Sequence, residues 1–107
     1  MIKHDFTVLR GTEFRVQFTV TIDGSPDLTG YTPAGQIRPY ADSEDIIGEF
    51  SFEPAPLDNS GQFEMILTTA ETMEIKPDTY YYDVKLTKTT PIYAVGGSIQ
   101  FSSPVTR

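Results

Sequence analysis

The stretch "EFRVQFTVTI", Glu13 to Ile22, alternates apolar and polar side chains at nearly every step. Phe14, Val16, Phe18, Val20 and Ile22 fall on one side, and Arg15, Gln17, Thr19 and Thr21 on the other. A helix repeats every ~3.6 residues and would scatter this set around its axis, whereas a strand repeats every two. Phe, Val, Ile and Thr also suit the pleated backbone of a strand. Such a strand has one greasy face and cannot stand alone; the face must be covered by a second layer.

The same period recurs along the chain. "HDFTVLRG" places Phe6 and Val8 inward, and "YTPAGQIRPY" lets Tyr31, Gly35 and Ile37 share a face. "EFSFEP" points Phe50 and Phe52 one way, and "QFEMILT" gathers Phe63, Met65 and Leu67. "DGSPDLTG" and "PLDNSG" between them carry turn chemistry, and "ADSEDIIG" reads as an acidic loop. In "IYAVGGSIQF", Tyr93, Val95, Ile99 and Phe101 are expected on one face, with Gly97 among them and Gly96 beside it. Two glycines there suggest a bulge or the close approach of another strand.

One segment breaks the period. "TTAETMEI" sets Thr68 three residues before Glu71, the spacing of a capping box, and Pro77 stops any helix that forms. A turn or two of helix is expected. The tally is about seven short strands with turn signals between them, which predicts an all-β fold: an immunoglobulin-like antiparallel β-sandwich with one short helical turn. The 107 residues suit a single domain, 1–107. A chain of this size buries roughly two thirds of its unfolded surface, enough for one core.

The triplet Tyr80–Tyr82 looks like an aromatic platform, but a strand sends neighbours to opposite faces. Tyr80, Tyr82, Val84 and Leu86 are expected inward, and Tyr81, Asp83 and Lys85 outward. A helical turn, then Asp78, then Tyr80 at a strand start matches the tyrosine corner of immunoglobulin-like sandwiches, where the hydroxyl bonds back to the preceding loop. Asp78 and Tyr80 are therefore read as structural.

Catalytic patterns are weak. The sole histidine, His4, lies near a terminus expected to fray, and no serine sits in a nucleophile elbow. With no cysteine, thiolate metal sites and disulfides are excluded. Asp42 and Glu44 alternate as ligands of a calcium loop would, but Ile46 takes the next slot and Gly48 falls a place late, so a solvated acidic loop is expected, with weak calcium binding as the alternative. Glu71 and Glu74 suit the start of a helix without a catalytic role. No phosphate loop or dinucleotide fingerprint occurs, and no cofactor is expected. A net charge of −7, with eight basic residues scattered among fifteen acidic ones, argues against nucleic acid and anionic membranes as partners. The N-terminus lacks the apolar run of a signal peptide, and the uncharged stretch Thr89–Thr106 is too rich in Pro, Gly and hydroxyls for a membrane helix.

What remains is surface. Tyr40, Ile46, Ile47 and Tyr81 are expected outside the core, where aromatic and apolar groups anchor partners. The uncharged segment Pro91–Ser103 is a candidate sheet edge for strand pairing, with Ala94 and Ser98 as its probes.

The stretches "LRGTEFRVQFTV", "DLTGYTPAGQIRP", "GQFEMILTTAETMEIKPDTYYYDVKLT" and "GGSIQFSSPVT" together resemble a small β-sandwich domain of tailed-phage and prophage structural proteins, like the N-terminal domain of phage baseplate upper proteins. Gly11, Asp27–Thr32, Gln36–Arg38, Thr68–Thr72, Tyr80, Tyr82, Asp83, Leu86 and Thr87 match that pattern; Thr69 and Asp78 depart from it. In those proteins the domain heads a longer chain, whereas this sequence ends at Arg107, so it either acts alone or was cut from something longer. The resemblance implies a non-catalytic virion component of tail, baseplate or head decoration. It would dock on other virion proteins, as a homo-oligomer within a symmetric assembly, after folding in the host cytoplasm. The competing reading is a carbohydrate-binding module for host attachment, using Tyr40, Tyr81 and Tyr93; a hydrolase using His4 is remote.

Overall fold

The computed structural model describes residues 2–104; the last two residues of the uncharged stretch, Val105 and Thr106, lie outside that range. Among the described residues nine strands form two sheets: β1 (Ile2–Lys3), β2 (Phe6–Leu9), β3 (Phe14–Thr19), β4 (Thr32–Arg38), β5 (Gly48–Glu49), β6 (Ser51–Glu53), β7 (Gln62–Leu67), β8 (Asp78–Thr87) and β9 (Pro91–Ser102). The larger sheet runs β1-β9-β8-β4-β5, with β2 also on β9; the smaller runs β3-β7-β6. Seven of the strands have three residues or more, and the two-residue β1 and β5 account for the excess over the expected count.

The core lies between the sheets. Phe63, Met65 and Leu67 of β7 and Phe14 and Phe18 of β3 face Ile37, Tyr82, Val84, Leu86, Val95, Ile99 and Phe101. Phe50 sits between β5 and β6, where the chain leaves the larger sheet for the smaller, and its ring packs against Phe14 and Tyr82. Ile66 departs from the alternation: it shares the outer face with Glu64, opposite Arg15 and Ser51, yet is buried.

The helix α1 (Thr69–Glu74) carries the reciprocal capping box: Thr68 Oγ1 accepts from the Glu71 N–H, and Glu71 accepts from the Thr68 N–H. Its buried Thr72 hydroxyl donates to the Thr12 carbonyl and accepts from the Gly11 N–H. Arg10 closes the far end, donating to the carbonyls of Ile75 and Met73. These bonds satisfy carbonyls that a helix terminus leaves orphaned.

Three expectations need correcting. The segment Ile2–Leu9 is not a frayed end: β1 and β2 pair with β9, and they run parallel to it in an otherwise antiparallel sandwich. The strand breaks at His4–Asp5, where the His4 N–H donates to Gly96 and the Asp5 carboxylate accepts the Ser98 N–H. From Val95 on, the segment Pro91–Ser103 is consequently not a free edge, because β1 and β2 pair with Val95–Gly96 and Ile99–Ser102; Pro91–Tyr93 pair with β8 alone. Finally, Tyr93 does not share a face with Val95. The pairing slips between Val84 and Lys85, so Val84 meets Val95 while Lys85 meets Tyr93, and Ala94 is the extra residue. That bulge turns Tyr93 outward and buries Ala94. The glycine pair marks the strand's other feature: a Cβ on Gly97 would collide with the His4 carbonyl oxygen and come 2.7 Å from Asp5 Oδ1.

Candidate binding face

Strand alternation sends Tyr81, Asp83 and Lys85 of β8 to the solvent side of the larger sheet. Register decides what stands beside them. Tyr81 lies between Arg38 of β4 and Ser98 of β9, Asp83 between Gln36 and Gly96, and Lys85 between Ala34 and Tyr93. Three rows thus cross the sheet. The outer two carry the tyrosine rings, Tyr81 and Tyr93, and the middle row carries Gln36 and Asp83. The result is a depression of about 490 Å³ over the first two rows and an adjoining one of about 250 Å³ over the last two. Gln36, Arg38, Ala41 and Asp83 line both.

The polar groups are partly fixed. Arg38 donates through Nη1 to the Ser43 carbonyl and through Nη2 to Gln36 Oε1, the latter at 2.6 Å. This clamps the guanidinium across the face and spends the Gln36 oxygen, leaving its amide nitrogen as a donor. The Asp83 carboxylate, half-buried, has no hydrogen-bond partner among the described residues. At the rim, the backbone N–H of Ser98 holds the Asp5 carboxyl below the usual carboxylate range, with Lys3 and His4 assisting. The larger depression is lined by two cationic side chains, Lys3 and Arg38, and two carboxylates, Asp5 and Asp83.

The residues singled out from sequence divide into three groups. Tyr81 and Ser98 belong to this face, and Tyr93 joins them through the bulge. Tyr40, Ile46 and Ile47 project from the β4–β5 connection, exposed by 60%, 47% and 38%. Asp78 and Tyr80 stand at one end of β8, where the Tyr80 hydroxyl donates to the Lys76 carbonyl at 2.8 Å and Asp78 accepts from the Thr79 N–H. Burial, then the Asp78 charge, raises the Tyr80 pKa. Ala94 is buried and offers no surface.

Gln36 and Arg38 were named from sequence only as matches to the phage pattern, not as binding residues. Alternation around Ile37 turns both outward, but only the β4–β8 register sets them beside Asp83 and Tyr81. A second unforeseen contact is the Tyr82 hydroxyl, which donates to the His4 carbonyl at 2.6 Å; burial raises its pKa. His4 itself stacks on Phe6, with ring centroids 4.7 Å apart. Among the described residues, no three histidine or acidic side chains gather as a metal centre, and no helix is long and apolar enough to cross a membrane.

Comparison with solved structures places this architecture. A chain of the crystal structure of the titin M10–obscurin-like 1 Ig complex aligns over 94% of this chain and 87% of its own, with a TM-score of 0.53 at 14% identity. The titin M3 domain aligns over 95% and 91%, with a TM-score of 0.50 at 12% identity. The extracellular domain of the voltage-gated sodium channel β4 subunit, solved as parallel homodimers, aligns over 98% and 95%, with a TM-score of 0.52 at 11% identity. The fold is an immunoglobulin-like β-sandwich. At such identities the likeness speaks for the fold alone. No family model matches the chain, and no curated protein matches it.

Proposed function

We propose that this chain is a non-catalytic structural component of a tailed-phage particle, in its tail, baseplate or head decoration, and that it works by docking on other particle proteins. The resemblance of "DLTGYT", "QIR" and "YYYDVKLT" to the N-terminal domain of baseplate upper proteins supports this reading. The structural observation that carries it is the β4–β5 connection. Three of its large apolar side chains, Tyr40, Ile46 and Ile47, stand in water. Meanwhile its backbone is tied down by the Ser43 N–H to Tyr40, by the Ile47 N–H to Ile37, and by the Arg38 clamp on Ser43. Apolar anchors on a pre-ordered segment bind with little further loss of entropy. Copies repeated by the symmetry of a particle would add avidity. Such a component folds in the host cytoplasm and ends in the virion.

The test is incorporation. Purified particles are analysed by mass spectrometry and by gold-tagged antibody against the chain. The expected result is the chain at one location, with incorporation falling at least about tenfold in a Tyr40→Asp/Ile46→Asp variant that still folds. A chain missing from the particles would overturn the virion reading. Normal incorporation of the variant would overturn the role of the connection.

A further inference from the structure

The trough across Gln36, Arg38, Tyr81, Asp83, Ser98 and Tyr93 has a chemistry of its own, distinct from the apolar β4–β5 connection. We propose that it is a binding site for an uncharged oligosaccharide, with one sugar against Tyr81 and another against Tyr93. This does not rest on the virion reading.

Size, charge and layout support the assignment. At about 490 Å³, the larger depression falls within the range of small-ligand pockets. It is open, so the ligand lies along the sheet rather than being engulfed. The chain carries −7, yet the larger depression balances Lys3 and Arg38 against Asp5 and Asp83, and the adjoining one adds only Lys85 to Arg38 and Asp83. Within the larger one a phosphate or sulfate would meet two carboxylates, and a polycation would meet Lys3 and the clamped Arg38 guanidinium. A neutral polyhydroxyl ligand meets both donors and acceptors. Asp83 and the Gln36 amide nitrogen supply an acceptor and a donor without partners among the described residues, and planar groups of this kind can engage two hydroxyls at once. Sugar rings also present C–H faces that pack on an aromatic ring. Tyr81 and Tyr93, exposed by 44% and 51%, offer such rings at opposite ends of the trough. Positions 81 and 85 on β8 are about 13 Å apart along the strand, and Tyr93 stands beside position 85. The Gln36–Asp83 row, with Arg38 reaching into it from beside Tyr81, lies between the two rings, as a ligand of more than one sugar requires.

The depression on the opposite sheet provides a contrast. It is lined by Glu53, Asp58 and Glu64, with no basic residue and no exposed tyrosine. It has neither the charge balance nor the stacking surface.

The test follows backbone amide shifts of the ¹⁵N-labelled full chain by NMR. The probes are cellobiose, maltose, lactose and chitobiose at millimolar concentration, with sialyl-lactose and inorganic sulfate as anionic controls. At least one neutral disaccharide is expected to move the amides around Gln36, Tyr81, Asp83 and Tyr93. Tyr81→Ala should weaken that binding about tenfold, and Asp83→Asn by a similar factor. Both side chains lie on the solvent face, so the variants keep the fold, and an unchanged spectrum elsewhere checks this. Tyr40→Asp/Ile46→Asp should leave sugar binding intact even if it abolishes incorporation into particles, which separates the two proposals. No shift with any neutral disaccharide, shifts confined to other surfaces, or stronger binding of an anionic probe would overturn the assignment. If instead Tyr81→Ala blocks particle incorporation and no sugar binds, the face is a protein interface.

Discussion

Tyr81 and Tyr82 are adjacent on β8, and they stand on opposite faces of one sheet. Tyr82 packs on Phe6 and Phe50 inside the sandwich, and its hydroxyl is consumed by the His4 carbonyl. Tyr81 is 44% exposed and forms no hydrogen bond through its hydroxyl among the described residues. The inner ring holds the N-terminal strand to the sheet; the outer ring is available to something else. A residue type therefore says little about role until its face is known.

The largest test of this contrast is to truncate each ring. Tyr82→Ala should lower unfolding free energy by about 3–5 kcal/mol, through lost burial, a cavity and the orphaned His4 carbonyl. Tyr81→Ala should stay within about 0.5 kcal/mol of the parent. Urea unfolding followed by tyrosine fluorescence measures both. Equal costs would mean that the outer ring is packed down and the face is not a free surface.

Gly97 faces Tyr82 across the β8–β9 pairing, on the same inner side. Its missing side chain is what lets His4 and Asp5 run so close beside β9. Gly97→Ala should cost about 1–3 kcal/mol, the scale of overpacking, and should free β1 in particular. Amide exchange at His4 and Ser98 should rise while exchange in β7 is unchanged relative to global stability. Uniform loss of protection would show that the N-terminal strand is not a separately held element.

Much of this was legible from alternation. The inward sets of β3, β7 and β8 follow directly from period two, and the Thr68–Glu71 spacing marked the helix cap. Two kinds of feature were not legible. One is register: nothing in "QIRPY" says that Arg38 meets Tyr81 rather than Asp83, because pairing is fixed by the packing of whole strands. The other is local irregularity. Counting by twos across "YAVGG" misplaced Tyr93, because the chain inserts Ala94 as a bulge. The same segment looked like an edge because it lacks charge. From Val95 to Ser102 it is instead paired on both sides, by β8 and by β1 and β2. The N-terminal strand that does so is only two plus four residues long, too short for its pattern to announce a parallel partner.

A finer cut separates the Tyr82 ring from its hydroxyl. Tyr82→Phe keeps the ring and should cost about 1 kcal/mol. It also carries a pH signature. Burial raises the folded-state pKa of Tyr82, so its neutral form is the one that fits. The contribution is complete below the ordinary tyrosine value of about 10 and is lost as pH rises through the raised folded value. Tyr80 is raised in the same direction and remains in the variant. Between about pH 9 and 11, stability should therefore fall more steeply in the parent than in Tyr82→Phe. Parallel curves would mean that the hydroxyl ionises freely and is not held by His4.

The smallest effect lies on the outer face of the other sheet. There Arg15 Nε meets Glu13 at 3.0 Å, and its Nη1 meets Glu64 at 3.2 Å and Glu53 at 3.3 Å. The arrangement ties β3, β7 and β6 together across their solvent side, and on paper it is denser in ion pairs than anything on the larger sheet. All four side chains are well exposed, however, so water and salt screen them, and holding long side chains in place costs entropy. Arg15→Met should lower stability by no more than about 1 kcal/mol, part of it from three carboxylates left facing one another. The deficit should shrink as salt rises from about 0.1 M to 1 M, where the screening length falls from about 10 Å to 3 Å. A loss as large as that of Tyr82→Ala, or one indifferent to salt, would mean that Arg15 acts through its aliphatic stem over the buried Ile66 opposite it, and that this outer face behaves like an inner one.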